Sequence, residues 1–151
     1  MADHIADYCR YLTEEKHVQK NTLNSYARDL SQFQSWLLDT GITDLKKVSR
    51  DTVSEYLHHM ADQGKSPATI TRSTASIRSF YNYMMQAGRV KSNPAKAVTT
   101  AKVERKCPEI LTNREVELFL EQPKCDDEKG FRDHAMLELL YATGIRVSEL
   151  I

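Results

Sequence analysis

The residues best suited to chemistry are cations and small hydroxyls, and the sharpest of them is Arg146. It follows the turn signal Thr143-Gly144 in "LLYATGIRVSELI" and precedes a single helical turn. A guanidinium near a helix N-terminus can grip two oxygens of one phosphate while the helix end adds positive potential. The same spacing fits an i,i+3 pair with Glu149, worth about 0.2–0.5 kcal/mol, so the residues alone leave both roles open. A second concentration lies in "KSPATITRSTASIRSFYNYMMQAG". Opposite its apolar positions this stretch carries Lys65, Ser66, Thr69, Arg72, Ser73, Ser76 and Arg78, with no acid between Lys65 and Arg89. Hydroxyls donate to phosphate oxygens, and small side chains let a helix approach a nucleic-acid backbone closely. A merely solvated face usually mixes both signs of charge, so nucleic-acid contact is the expectation here. Lys20, Asn21, Thr22, Ser25 and Arg28 form a weaker echo, where helix N–H groups and cations suit a phosphate. Ordinary capping plus one surface arginine explains that second set equally well.

Other chemistries find little support. No Ser/His/Asp set, Gly-rich phosphate loop or carboxylate pair at catalytic spacing stands out. Tyr141, among Leu139, Leu140 and Ala142, reads as packing rather than as a nucleophile. Cys9, Cys107 and Cys125 are odd in number and lack a CxxC spacing. They argue against disulfides and zinc and for a reducing cytoplasm. His58 and His59 are adjacent, so on a helix they diverge by about 100° and do not readily share a metal; no metal site is expected. There is no apolar run of about 18 residues for a membrane span, and the acidic, alternating N-terminus is unlike a secretory signal.

The composition, 40% hydrophobic and 28% charged, is that of an ordinary globular protein. Its zero net charge hides a reversal. Residues 1–106 hold 16 Lys/Arg against 11 Asp/Glu, whereas residues 107–151 hold 5 against 10. Two modules are implied, the first being the better match for a polyanion.

Stepping of the apolar residues predicts helices throughout, an all-α fold. Ile5, Tyr8, Cys9 and Leu12 stripe a first helix over residues 3–15. Asn21 would cap a second, with Leu23, Tyr26, Ala27, Leu30, Phe33 and Leu37 inward and Gly41 as its stop. Ser49 caps a third, whose buried face is Val53, Tyr56, Leu57 and Met60, and Gly64 ends it. Ser66 caps a fourth with Pro67 at its first position; Ile70, Ile77, Tyr81 and Met84 face inward and Gly88 closes it. These four make one unit over residues 1–92. Residues 93–107 read as a linker with positive charge to spare, able to track an anionic partner. Residues 108–151 open a second unit with a Thr112–Glu115 capping box. There "FRDHAMLELLYA" is expected to bury Ala135, Met136, Leu139 and Leu140. Three helices in some forty residues, the last of one turn, are too little for a core. The second unit is therefore expected to be the start of a larger domain, with the chain a piece of a longer protein.

Four stretches, "NTLNSYARDLSQFQSWL", "SPATITRSTASIRSFYNYMMQAGRVKSNPA", "PEILTNREVELFL" and "GFRDHAMLELLYATGIRVSEL", together resemble the tyrosine recombinases of the XerC/XerD type, in order and spacing. The chain departs at Asn82 and Tyr83 and in the Ser/Thr run from Thr71 to Ser76, where relatives carry more arginine. The resemblance implies a four-helix, SAM-like core-binding domain closing on one face of double-stranded DNA, followed by the first helices of a catalytic domain. It implies that Arg146 is the first catalytic arginine, stabilising a pentacoordinate phosphoryl transition state. A tyrosine nucleophile forming a 3′-phosphotyrosyl link, a hairpin lysine and a His-x-x-Arg pair would then lie beyond Ile151, and no cofactor is needed. Partners would be DNA and other recombinase protomers in a tetramer, with chromosome-dimer resolution or phage and transposon integration as the duty. The chain alone would bind DNA without cutting it. The rival reading is a non-enzymatic helical module that binds DNA or a protein.

Overall fold

Four of the helix starts carry the expected kind of chemistry, a side-chain oxygen accepting from a backbone N–H in the first turn. Ser49 Oγ accepts from Thr52 N at 3.1 Å, and Ser66 Oγ from Thr69 N at 3.3 Å. Thr112 and Glu115 close their reciprocal box, with Thr112 N donating to Glu115 Oε2 at 2.7 Å. That backbone N–H holds the Glu115 carboxyl below its ordinary range. Asp127 caps the next helix by accepting from Gly130 N at 2.7 Å. The second helix differs from expectation. It starts at Lys20 with Gln19 in the capping position and no side-chain cap, so Asn21 lies inside its first turn.

The computed structural model describes residues 2–99, 107 and 109–151, and every regular element among them is helical. The first unit holds α1 (Ala2–Glu14), α2 (Lys20–Asp39), a 3-10 turn (Leu45–Lys47), α3 (Arg50–Asp62) and α4 (Pro67–Gln86). Here α2 packs on α4 and on α1, while α3 and α1 also pack on α4. Eight of the twenty residues of α4 are Ser, Thr or Ile, which are indifferent helix formers. Burial therefore holds this helix: Ile77, Phe80, Tyr81 and Met84 are all in the core. Tyr8 of α1 meets Phe80 edge-to-face at 5.5 Å, and Phe33 of α2 meets Tyr56 of α3 at 4.9 Å.

The expected core positions of α3 are all buried, as are Tyr8, Leu12, Leu30, Phe33 and Leu37. Ser73 and Ser76 are corrections: both were expected on the outer face and both are fully buried. The boundary at residue 92 also moves. Ala95 and Val98 pack into the first unit's core, and Arg78 ties that segment to α4. Residues 100–106, seven of the fifteen in the expected anion-tracking linker, lie outside the described residues.

The second unit holds α5 (Asn113–Leu120), α6 (Glu128–Thr143) and α7 (Val147–Leu150). Capped by Asp127, α6 starts at Glu128, three residues before the expected Phe131, and Gly130 is needed there because the Lys124 carbonyl leaves no room for a Cβ. Gly144 ends it in the left-handed region at φ 66°. No described side chain of this unit is buried. Ala135 and Leu139 are exposed, Met136 and Leu140 half-buried, and Tyr141, expected as packing, is 61% exposed. The physical reason is that α5, α6 and α7 offer each other too little apolar area to bury any of them.

Burial pushes the Tyr8 phenol up to about 12, against a hydrogen bond to Ser79 at 2.7 Å that lowers it, and raises Tyr81 and Tyr56 as well. A raised folded-state value favours the neutral form, so this stability is intact below pH 10 and lost as pH climbs through about 12. Thermal melts followed by circular dichroism are expected to fall over that window, with the Tyr8 phenolate appearing only as the bundle unfolds. A Tyr8 phenol that ionises near pH 10 in a still-folded chain would contradict it.

Candidate nucleic-acid interface

The expected contact residues fall into three groups once folded. Lys20, Asn21, Thr22, Arg28, Lys65 and Ser66 are exposed, with Ser25 and Thr69 partly so. Of the cations among them, Lys20, Arg28 and Lys65 form no ion pair with any described residue. Ser66 and Thr69 spend their hydroxyls on each other at 2.9 Å while capping α4. Ser25 Oγ donates to the Asn21 carbonyl at 2.9 Å.

Ser73 and Ser76 sit on the other side, inside the bundle. The stepping 73, 76, 77, 80, 81, 84 is one continuous helical stripe, and small side chains at its first two positions admit α2. Ser76 Oγ donates to Asp29 Oδ2 at 2.8 Å. Asp29 is only 1% exposed and was not singled out in the sequence. Its signal was present: Tyr26, Asp29, Leu30, Phe33 and Leu37 share one stripe, and an acid in it must find a partner. That partner is Arg72, whose Nη1 donates to both Asp29 oxygens, at 2.8 and 2.7 Å.

Arg72 and Arg78 are thereby sorted. Arg72 keeps 42% of its side chain exposed, and its Nε and Nη2 meet no acceptor among the described residues. Arg78 uses Nε on the Ala95 carbonyl at 3.1 Å and Nη2 on the Val98 carbonyl at 3.0 Å. Asn93 completes that strap, donating to the Arg78 carbonyl at 2.9 Å. Arg78 is thus corrected from a surface contact to a brace of the fold.

Two observations orient the helices. Asp29 pairs with Arg72 and Ser76, while Ser35 and Asp39 share with Lys65 a groove of about 370 Å³ that Trp36, Tyr56 and His59 also line. So α2 and α4 run antiparallel, and their N-termini lie at opposite ends of the pair. Lys20 and Lys65 then flank the central Arg72 at a separation on the order of 20 Å, which matches about six base pairs at 3.4 Å each. The structure does not gather the two expected clusters into one patch.

In the second unit Arg146 occupies the capping position of α7. Its backbone N–H donates to Glu149 Oε2 at 2.8 Å, and its Nη1 to Oε1 at 3.2 Å. The pair with Glu149 is therefore present, yet the Arg146 side chain is 82% exposed. An ion pair so exposed is worth under about 1 kcal/mol and does not withhold the guanidinium from a stronger anion.

Residues 5–88 match the family described as phage integrase, N-terminal SAM-like domain. A protein named as a tyrosine recombinase in Caldanaerobacter subterraneus subsp. tengcongensis is 38% identical over 147 residues, 97% of this chain and 50% of that protein. Tyrosine recombinase XerD of Staphylococcus aureus is 37% identical over the same shares. The chain thus spans about half the length of the curated relatives it matches. Among solved structures, the Tn1549 transposon integrase in complex with circular intermediate DNA shares the fold. One such structure gives a TM-score of 0.66 at 23% identity, covering 97% of this chain and 48% of that one. Another gives 0.65 at 20%, covering 97% and 46%. No helix among the described residues is long and apolar enough to cross a membrane. The chain belongs to the phage integrase family of tyrosine recombinases, with that family's N-terminal SAM-like domain as its first unit.

Proposed function

We propose that this chain supplies the DNA-embracing amino-terminal part of a site-specific tyrosine recombinase, acting in the cytoplasm on paired half-sites with other protomers of its kind. The single observation that carries the DNA reading is Arg72, 42% exposed with Nε and Nη2 meeting no acceptor among the described residues, alongside exposed Arg28 and Lys65 on the α2–α4 pair. Identity of 37% to tyrosine recombinase XerD of Staphylococcus aureus favours chromosome-dimer resolution over integration of a mobile element. Double-stranded DNA is the partner, held mainly through phosphates. Lys20, Thr22, Arg28, Lys65 and Arg72 are the contacts we retain. Ser73, Ser76 and Arg78 act by holding α4, which presents Arg72.

Arg146 we place on the scissile phosphate, where an exposed guanidinium on a fixed backbone would stabilise charge developing in the transition state. In the full-length protein the remaining catalytic groups would come from the half of the relatives' length that this chain does not span. Apolar side chains exposed on the second unit, Ile110 at 91% among them, are the surface that such a larger domain would cover.

Replacing Arg28 and Lys65 together by Gln is expected to weaken duplex binding for all sequences alike. The slope of log affinity against log salt should fall by about two. Fluorescence anisotropy at several salt concentrations measures this, and an unchanged slope would move the DNA face elsewhere. In a full-length protein Arg146→Ala should leave binding nearly intact while slowing strand cleavage on the order of 10²- to 10³-fold; equal losses of both would make it a binding residue. The 151-residue chain incubated with a nicked duplex is expected to give no covalent adduct on a denaturing gel. An adduct abolished by Tyr141→Phe would instead assign a nucleophile within the chain.

A further inference from the structure

An arginine carries five N–H donors in a rigid planar fork, and the way Arg72 divides them is unusual. Asp29 takes Nη1 alone, with both carboxylate oxygens. The opposite edge, Nε with Nη2, offers parallel donors of the kind that bind two oxygens of one phosphate. Six residues on, Arg78 has that same edge closed by two backbone carbonyls. Among the described residues, α4 therefore carries one arginine with its phosphate-binding edge occupied and one with it open.

We propose that Asp29 is a positioning residue: a buried carboxylate that holds Arg72 by one nitrogen so that its Nε–Nη2 edge stands as a preformed fork for a DNA phosphate. The proposal rests on the DNA-binding reading above and adds to it how the contact is made rigid. Asp29 is itself immobile, 1% exposed on α2 and held by the Ser76 hydroxyl at 2.8 Å. A free arginine loses much rotamer freedom on gripping a ligand, and a side chain already fixed loses less. The carboxylate also repels a phosphate, but from behind the guanidinium. The phosphate oxygens would touch the donors at about 2.8 Å, so the shorter-range attraction prevails over the longer-range repulsion.

The test is anisotropy titration of the whole chain against a fluorescein-labelled duplex, alongside thermal melting of each variant. Arg72→Lys is the central variant, because lysine keeps the charge and can pair with Asp29. Its single nitrogen cannot hold the carboxylate and also display a fork. Arg72→Lys is expected to weaken binding about tenfold, as much as Arg72→Gln, with little change in melting temperature. Asp29→Asn is expected to weaken binding in the unmutated chain and to add nothing in the Arg72→Gln background. Binding by Arg72→Lys equal to the unmutated chain would overturn the proposal. So would tighter binding by Asp29→Asn, which would make the carboxylate a competitor of phosphate. An equal loss from Asp29→Asn with and without Arg72 would show a role in folding alone. Should Asp29→Asn fail to fold, the lysine variant still decides. Failure of the DNA reading looks different: Arg72→Gln would bind as tightly as the unmutated chain, or that chain would show no salt-dependent affinity.

Discussion

A carboxylate shut away from water is costly unless its charge is paired and its lone pairs are filled. Asp29 meets that demand with three short contacts, two from Arg72 and one from Ser76, all of them across the α2–α4 junction. The rest of the first unit follows from where this junction sets the two long helices. Residue 76 must be small and must carry a hydroxyl, and residue 72 must be long enough to reach inward from the rim. Sliding α2 by one turn toward the C-terminal end of α4 would set the acid against Phe80 in place of Ser76. A buried ion pair adds little net stability when compared with well-packed apolar residues, but breaking one by removing a partner is expensive. Its effect here is to fix register, while Leu30, Phe33, Ile77 and Phe80 supply the burial.

That register also decides what the bundle shows to solvent. Arg72 and Arg78 are the same residue type on the same helix, yet they have different tasks. Arg78 points toward the returning segment and closes on the carbonyls of Ala95 and Val98, so the chain leaving α4 is tied back against it. Arg72 points toward α2 and reaches solvent past it. The exposed cations Arg28 and Lys65 consequently stand apart on two antiparallel helices rather than in one cluster, Arg28 on α2 and Lys65 just ahead of α4. Their spacing is set by the junction between those helices.

The second unit is governed by different forces. Its helices are set by contacts between near neighbours in sequence: Thr112 with Glu115, Asp127 with Gly130, Arg146 with Glu149. Contacts of this kind need only the first turn of their own helix. A contact between α5 and α6, His134 Nδ1 to the Leu120 carbonyl at 3.1 Å, joins two of the helices. None of this buries a side chain, which is why Tyr141 and Leu139 stand in solvent although the pattern around them reads as core.

Features that depend on neighbours a few residues apart were legible in the chain before it folded. Ser49, Ser66 and the Thr112–Glu115 box could be read because a cap needs only its own first turn, and Val53, Tyr56, Leu57 and Met60 because a 3.6-residue period marks a buried face wherever that face packs. The family was legible for a related reason, since its motifs are local strings such as "LLYATGIRVSEL". Tertiary structure alone decided the assignments that pair distant residues. Asp29 meets Arg72 across 43 positions and Arg78 reaches Val98 across 20. Ser73 and Ser76 look like a polar face by residue type and prove to be interior by helical phase. Which face of a helix turns inward is known only once the helices have packed: Ser76 finds Asp29 there, while the buried Ser73 hydroxyl meets no partner among the described residues.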